Sequence, residues 1–174
     1  MKYLMLTILL LFLPSAISAQ HAHMDSSEIR ETGQDAFAAL AEIVIKLREN
    51  PNTDWSTVSV SALRAHLQDM NRVALQAEVR TEKQDLETSF HVEGEGSVIG
   101  SVQRMVLAHA PMLETDSGWT VKAETKPEGA ILTVGAKSLE EQRKINALGF
   151  FGLMTIGAHH QMHHLMIATG NDPH

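Results

Sequence analysis

The sequence contains no cysteine among its 174 residues, and aromatic residues account for only 5% of it. Without cysteine the chain has no disulfide bond, no thiolate metal site and no thiol nucleophile. Acidic residues outnumber Lys and Arg by 21 to 14, which gives a formal net charge of −7. Because nucleic-acid phosphates and anionic membrane surfaces are bound by clustered Lys and Arg, this composition argues against both kinds of partner.

Long apolar runs are also scarce, and the most continuous one, Tyr3–Leu13, stands at the N-terminus. A lysine precedes this run, and Pro14 and a stretch of small residues up to Ala19 follow it. The run is about half as long as a helix that spans a bilayer. We therefore expect residues 1–19 to be a signal peptide, cleaved after Ala19 or Ser18. The mature protein is expected to be periplasmic or secreted, without a stable membrane anchor.

The remaining chain of about 155 residues is long enough to bury a hydrophobic core. We expect residues 20–24 to form a flexible mature N-terminus, residues 25–170 a single α+β domain and residues 171–174 a C-terminal tail. Helices are predicted where apolar residues recur every three or four positions, and a capping-box sequence, Asp25-Ser26-Ser27-Glu28, opens the first one. The four predicted helices span 25–49, 60–74, Ser97 (as N-cap) to about Pro111, and Ser138 to about Ala168.

Between the helices the hydrophobic pattern changes to alternation, which predicts strands. Polar or Gly/Pro-containing turns pair these strands into two hairpins, each followed by a helix. The four predicted strands are Leu75–Glu82, Leu86–Glu93, Trp119–Lys126 and Ala130–Ala136. The sequence thus predicts an α+β fold in which two helices precede a ββα-ββα arrangement, with a four-stranded antiparallel sheet covered by helices on one face.

The chemically distinctive feature is the cluster His159, His160, His163 and His164, which has the pattern HHxxHH inside the predicted last helix. Residues four apart overlie one another on a helix, so His159 aligns with His163 and His160 with His164. Ile145 starts an apolar stripe that His159 and His163 continue. We expect these two rings to face the core or a cleft, and the other two to lie at its edge.

Neutral imidazole is a good ligand for copper, zinc and nickel, and two histidines at i,i+4 can bind one ion from a single helix face. His159 and His163 are therefore the predicted primary ligands, although one helix does not readily supply a complete coordination shell. Because methionine accompanies histidine in an exported, thiol-free chain, copper is favoured, with zinc close behind. The residues predicted to complete or tune the site are His160, His164, His109, His66 (with Met70 beside it) and Met166.

Three other interpretations stay open. An isolated histidine on an apolar stripe, such as His66, His91 or His109, is usually a buried residue that bonds to a backbone carbonyl. The alternative function is a non-enzymatic interaction or assembly module with a pH-responsive histidine face, which would contact a protein partner or a second copy through Leu148–Ala158. The sequence contains no nucleophile elbow, phosphate-binding loop or dinucleotide fingerprint, so nothing in it demands an enzyme. The third interpretation is a metalloenzyme, which would need an open coordination position and a nearby acid or base.

Overall fold

The structure, a computed structural model, describes residues 36–157 and 160–171, without the side chains of residues 160 and 161. The predicted signal peptide, the predicted mature N-terminus and the first part of the predicted first helix (residues 25–35) lie outside the described residues. His159 and residues 172–174 of the predicted tail also lie outside them.

The described residues confirm the α+β class and the four-stranded antiparallel sheet. The elements are α1 (Ala36–Glu49), α2 (Val60–Gln76), β1 (Glu78–Gln84), β2 (Glu87–Glu93), α3 (Ser97–Ser117), β3 (Thr120–Lys126), β4 (Gly129–Gly135), α4 (Leu139–Leu153) and α5 (His160–Ala168). The strands lie in the order β1-β2-β4-β3, and every neighbouring pair is antiparallel. Over the ranges 36–157 and 160–171, no helix combines the length and the apolar character that crossing a bilayer requires.

Alternation along the central strands separates the two faces of the sheet. Phe90 on β2 pairs with Leu132 on β4, and both side chains are buried. Their neighbours Ser89 and His91 point to the opposite face, since successive residues of a strand alternate. One face therefore packs on helices, and the other is the open, polar face of the sheet.

The first core lies between the sheet, α3 and α4, and α2 contributes Val73 to it. Burial of these apolar side chains is the main stabilising contribution to this part of the fold. The buried members of the first core are Val73, Phe90, Val92, Val98, Val102, Val106, Ala110, Leu113, Trp119, Ala130, Leu132, Val134, Ile145, Phe150 and Leu153.

A second, smaller core lies between α1, α2 and α5. Its buried members are Ile43, Leu47, Leu63, Leu67, Ile167 and Ala168. The backbone N–H of Ser59, the N-cap of α2, donates to the carbonyl oxygen of Ala168 at 2.7 Å. This bond fixes the C-terminal end of α5 against the N-terminal end of α2. Because α2 supplies residues to both cores, it joins them.

The third helix differs from the prediction at both ends. Ser97 is its first helical residue and not its cap, because the N-cap position is Gly96, which has no side chain to accept a hydrogen bond. The helix also continues through Pro111 to Ser117 and ends at Gly118 in the left-handed conformation. Pro111 has no backbone N–H, so the carbonyl of Leu107 lacks its usual helical donor. Both residues lie on the exposed side of α3, where water can satisfy that carbonyl.

The predicted single helix from Ser138 to Ala168 is wrong, because the structure divides this segment. Its start is confirmed, since the Ser138 hydroxyl accepts a hydrogen bond from the backbone N–H of Glu141. Gly149 then interrupts the helix with φ 60° and ψ −177°. α4 ends at Leu153, and turn residues follow up to Gly157 before α5 begins at His160. As a result α4 packs on the sheet, whereas α5 packs on α1 and α2.

Candidate metal site

Three histidines from distant parts of the chain come together between α2 and α5. The ring centroid of His66 lies 4.8 Å from that of His163 and 5.6 Å from that of His164. The centroids of His163 and His164 are 6.4 Å apart. We call these three residues the histidine triad. Three of the seven predicted site residues are thus brought into one cluster.

The antiparallel packing of α2 and α5 explains why the triad forms. The Ser59–Ala168 backbone bond sets the register at one end. His66 lies two turns further along α2, and His163 and His164 lie about one turn back along α5. Since His163 and His164 precede Ile167 and Ala168 by four residues, they continue the buried stripe of α5. The triad is therefore the next layer of side chains above the apolar second core.

Burial within the triad differs from the sequence-based expectation. His164, which we expected at the edge, is buried with 5% of its surface exposed. His163, which we expected to point inward, is only half-buried, as is His66. The expectation extended a stripe from Ile145 along one continuous helix. The break at Gly149 and the turn before α5 interrupt the helical periodicity. The buried face of α5 therefore does not continue the apolar stripe of α4.

One of the three ring separations is close to the spacing in a metal centre. A metal–nitrogen bond of about 2.0–2.1 Å places each imidazole centroid about 3.2 Å from the ion, so two ligands at a tetrahedral angle have centroids about 5 Å apart. In the triad only the His66–His163 separation, 4.8 Å, is close to that value. The other two, 5.6 and 6.4 Å, are longer, so the rings would have to draw together around an ion.

The ring orientations do not yet converge. Across residues 36–157 and 160–171, no group of three or more His, Cys, Asp or Glu side chains is placed to hold an ion as it stands. The ring planes within the triad are inclined by 53° to 70°. Filling the site therefore requires the rings to turn their nitrogens toward a common point.

The remaining predicted site residues lie outside the triad. His109 is buried in α3, and its Nε2 donates to the carbonyl oxygen of Leu153 at 3.0 Å, the ordinary arrangement for a structural histidine. Met166 is 37% exposed and lies on the far side of α5 from His164. His160 is the first residue of α5, its side chain is not described, and His159 lies outside the described residues.

His91 occupies a different surface, the open face of the sheet. Its Nε2 lies 3.3 Å from a carboxylate oxygen of Glu82 on the neighbouring strand, and Arg80 contacts the same carboxylate. Hydrogen bonds from Arg80 and His91 lower the pKa of Glu82. This exposed charged group is separate from the triad, which makes His91 a suitable control position.

The sequence-based reasoning missed one buried ionic group, Asp69 on α2. This residue is only 8% exposed. Its carboxylate accepts hydrogen bonds from Ser101 Oγ at 2.7 Å and from Arg104 Nε and Nη2 at 2.8 and 2.9 Å. Burial alone would raise the pKa of Asp69, but the bonds from Arg104 and Ser101 and the charges of Arg104 and Arg72 outweigh it and lower that pKa. The burial of Asp69 could have been predicted from the sequence, because Asp69 lies one helical turn before Val73 and therefore on the same face of α2.

The Asp69 network ties α2 to α3, beside the face of α2 that carries His66. The network has a structural role, since it holds in place α2, the helix that supplies His66 to the triad. No family model, curated protein or solved structure matches the chain. The chemistry of the triad itself is therefore what points to a function.

Proposed function

We propose that this chain is an exported protein that binds a transition-metal ion, copper or zinc, between α2 and α5. His66, His163 and His164 are the proposed ligands, and His159 and His160 remain candidates for additional ones. The observation that carries the proposal is the proximity of three imidazole rings from two helices, at centroid distances of 4.8 to 6.4 Å. Export is proposed on the composition of residues 1–19.

The donor set supports a borderline metal over a hard one. Imidazole nitrogens suit copper, zinc and nickel, whereas calcium and magnesium prefer oxygen ligands. The triad also continues the buried stripe of α5, so an ion there would lie at the edge of an apolar core. Such an environment limits the access of water to the ion and strengthens its bonds to the protein. Binding, with a role in storage, delivery or sensing, is the function this arrangement favours.

The experiment uses the mature, untagged chain and measures metal content and thermal unfolding with copper(II), zinc(II) or no metal. We expect about one ion per chain. A free ion concentration 100 times the Kd would stabilise the fold by about 2.7 kcal/mol, which corresponds to roughly 5–10 °C in Tm for a chain of this size. His66→Ala and the double variant His163→Ala/His164→Ala should lose both the ion and the stabilisation.

His91→Ala is the matched control, because it also removes one imidazole but from the open face of the sheet. It should keep the metal and the Tm shift. His66→Gln, which retains a polar side chain of similar reach, separates loss of a ligand from loss of packing. Full metal binding by His66→Ala and by the double variant would refute the site, as would the absence of any bound ion in the wild-type chain.

A second candidate function is the assembly module. Within the segment Leu148–Ala158, Leu148 and Phe151 are exposed apolar side chains, which is typical of a contact surface. The measurement is the molar mass in solution at pH 7.5 and 5.5 without metal, for the wild type and Phe151→Ser. A dimer that depends on Phe151 and on pH would favour this function, whereas a monomer under both conditions would exclude self-assembly.

A further inference from the structure

Met70 lies one helical turn after His66 on α2. Residues at i and i+4 of a helix have Cβ atoms about 5–6 Å apart on the same face. Met70 is half-buried and packs against the second core, the same group of helices that the triad extends. Its side chain therefore lies on the face of α2 that carries His66, one turn further along the helix.

The register of the two helices places Met70 at the end of the triad where α5 begins. Ser59 lies at the level of Ala168, and His66 lies at the level of His163 and His164. Because α2 and α5 run antiparallel, one further turn along α2 reaches the level of the first turn of α5. Met70 is the residue of α2 at this level, on the helix face shared with His66.

The neighbouring positions on α2 are already engaged elsewhere. Leu67 is an apolar member of the second core. Asp69 is held by Ser101 and Arg104 of α3. Met70 is therefore the residue after His66 that carries a potential metal donor on the face of α2 packed against the second core. A thioether is a soft ligand, which suits monovalent copper and contributes little to zinc.

We infer that Met70 is a fourth ligand of this site and that its thioether makes the site selective for monovalent copper over zinc. This inference rests on the proposed metal-binding function and specifies the ion that the site takes. The competing explanation is that Met70 only fills space, as methionine commonly does in cores. Met70→Leu separates the two, because leucine has a similar volume and no donor atom.

The test measures the affinity of the mature chain for copper(I), kept reduced with ascorbate and buffered with a chromogenic chelator, and separately for zinc(II). In Met70→Leu we expect the copper(I) affinity to fall by about tenfold or more, the scale of losses seen when groups that support a metal are removed. The zinc(II) affinity should change by less than about twofold. Met105→Leu is the matched control, since Met105 is half-buried against the first core and should change neither affinity.

The outcomes separate this inference from the proposed function. If Met70→Leu binds copper(I) as tightly as the wild type, or loses both metals equally, the inference is overturned while the histidine site stands. If the wild-type chain binds neither ion, the proposed function fails and the inference fails with it. Thermal unfolding of the metal-free variants provides the check on folding, and Met70→Leu and Met105→Leu should each lie close to the wild type.

Discussion

Replacing Asp69 with alanine tests whether the buried ionic network holds α2 against α3. The substitution removes the acceptor for Ser101 Oγ and for two guanidinium nitrogens of Arg104. Breaking a fully buried ion pair costs about 3–5 kcal/mol, because the remaining charge is left without compensation. The pair in this protein is not fully buried, so that figure is an upper limit.

Two features of the structure reduce the expected cost. The Arg104 side chain is 63% exposed, so water can solvate its charge once Asp69 is gone. Ser101 is buried, but its hydroxyl also lies 3.1 Å from the carbonyl oxygen of Ser97 and can donate there instead. We therefore expect Asp69→Ala to lower the free energy of unfolding by about 2 kcal/mol, and Ser101→Ala by about 1 kcal/mol.

The assay is urea unfolding of the mature chain, followed by circular dichroism. Each variant should shift the midpoint, and a double-mutant cycle should give a coupling between Asp69 and Ser101 of about 1 kcal/mol. Since α2 joins the two cores, Asp69→Ala should also broaden the transition as the second core loses its coupling to the first. A loss below about 0.5 kcal/mol, with no coupling to Ser101, would show that the network is not stabilising.

The same network predicts the direction of a pH effect. The pKa of Asp69 is lower in the folded chain than its usual value of 3.8. A group with a depressed folded pKa stabilises the fold above its unfolded pKa, and this contribution is lost as the pH falls through the folded value. Wild type and Asp69→Asn should therefore differ most in stability near neutral pH and converge below about pH 4. A difference that persists unchanged at low pH would contradict the assignment.

Two further predictions concern single residues. Gly129→Ala should destabilise by about 2–4 kcal/mol, because Gly129 has φ 157° and an added Cβ would collide with the Val92 carbonyl oxygen. Gly96→Ala, where φ is 54°, ψ is −119° and the space is open, should cost only the backbone strain of about 1–3 kcal/mol. Equal midpoints in urea for the two variants would contradict the steric argument. His109→Leu should cost about 1 kcal/mol, because the buried Leu153 carbonyl loses the imidazole hydrogen bond but keeps the one from the backbone N–H of Ile156. The metal content of this variant should match the wild type, whereas a loss of metal would place His109 in the site.

Local sequence signals predicted the two hairpins and the start of α4 well. The alternation in β2 and β4 is strong because one face of each strand is buried, and the observed strands differ from the predicted ones by only a few residues at their ends. Ser138 caps α4 because its hydroxyl bonds to a neighbour three residues away. Features of this kind depend on residues close in sequence, so they can be read without the tertiary structure.

The failures arise where distant contacts override local preference. Gly149 is one of several glycines in an apolar run, and nothing local shows that it takes a positive φ and interrupts the helix. Once the helix is interrupted, periodicity cannot predict which histidine is buried, which is why His164 replaces His163 as the inner residue. The meeting of His66 with α5 depends on how α2 packs and could be proposed from the sequence only as one option among several.

The second core has a consequence for the order of folding. It combines α1 with α5, the first and last elements of the described chain, whereas the first core is assembled from hairpins and the helices next to them. Contacts between residues near in sequence form early, because little chain entropy is lost in closing short loops. A chain emerging from its N-terminus can therefore complete the sheet and α3 while α1 and α2 still expose their inner faces. The histidine-bearing helix arrives last, so the triad exists only once the C-terminal residues are in place.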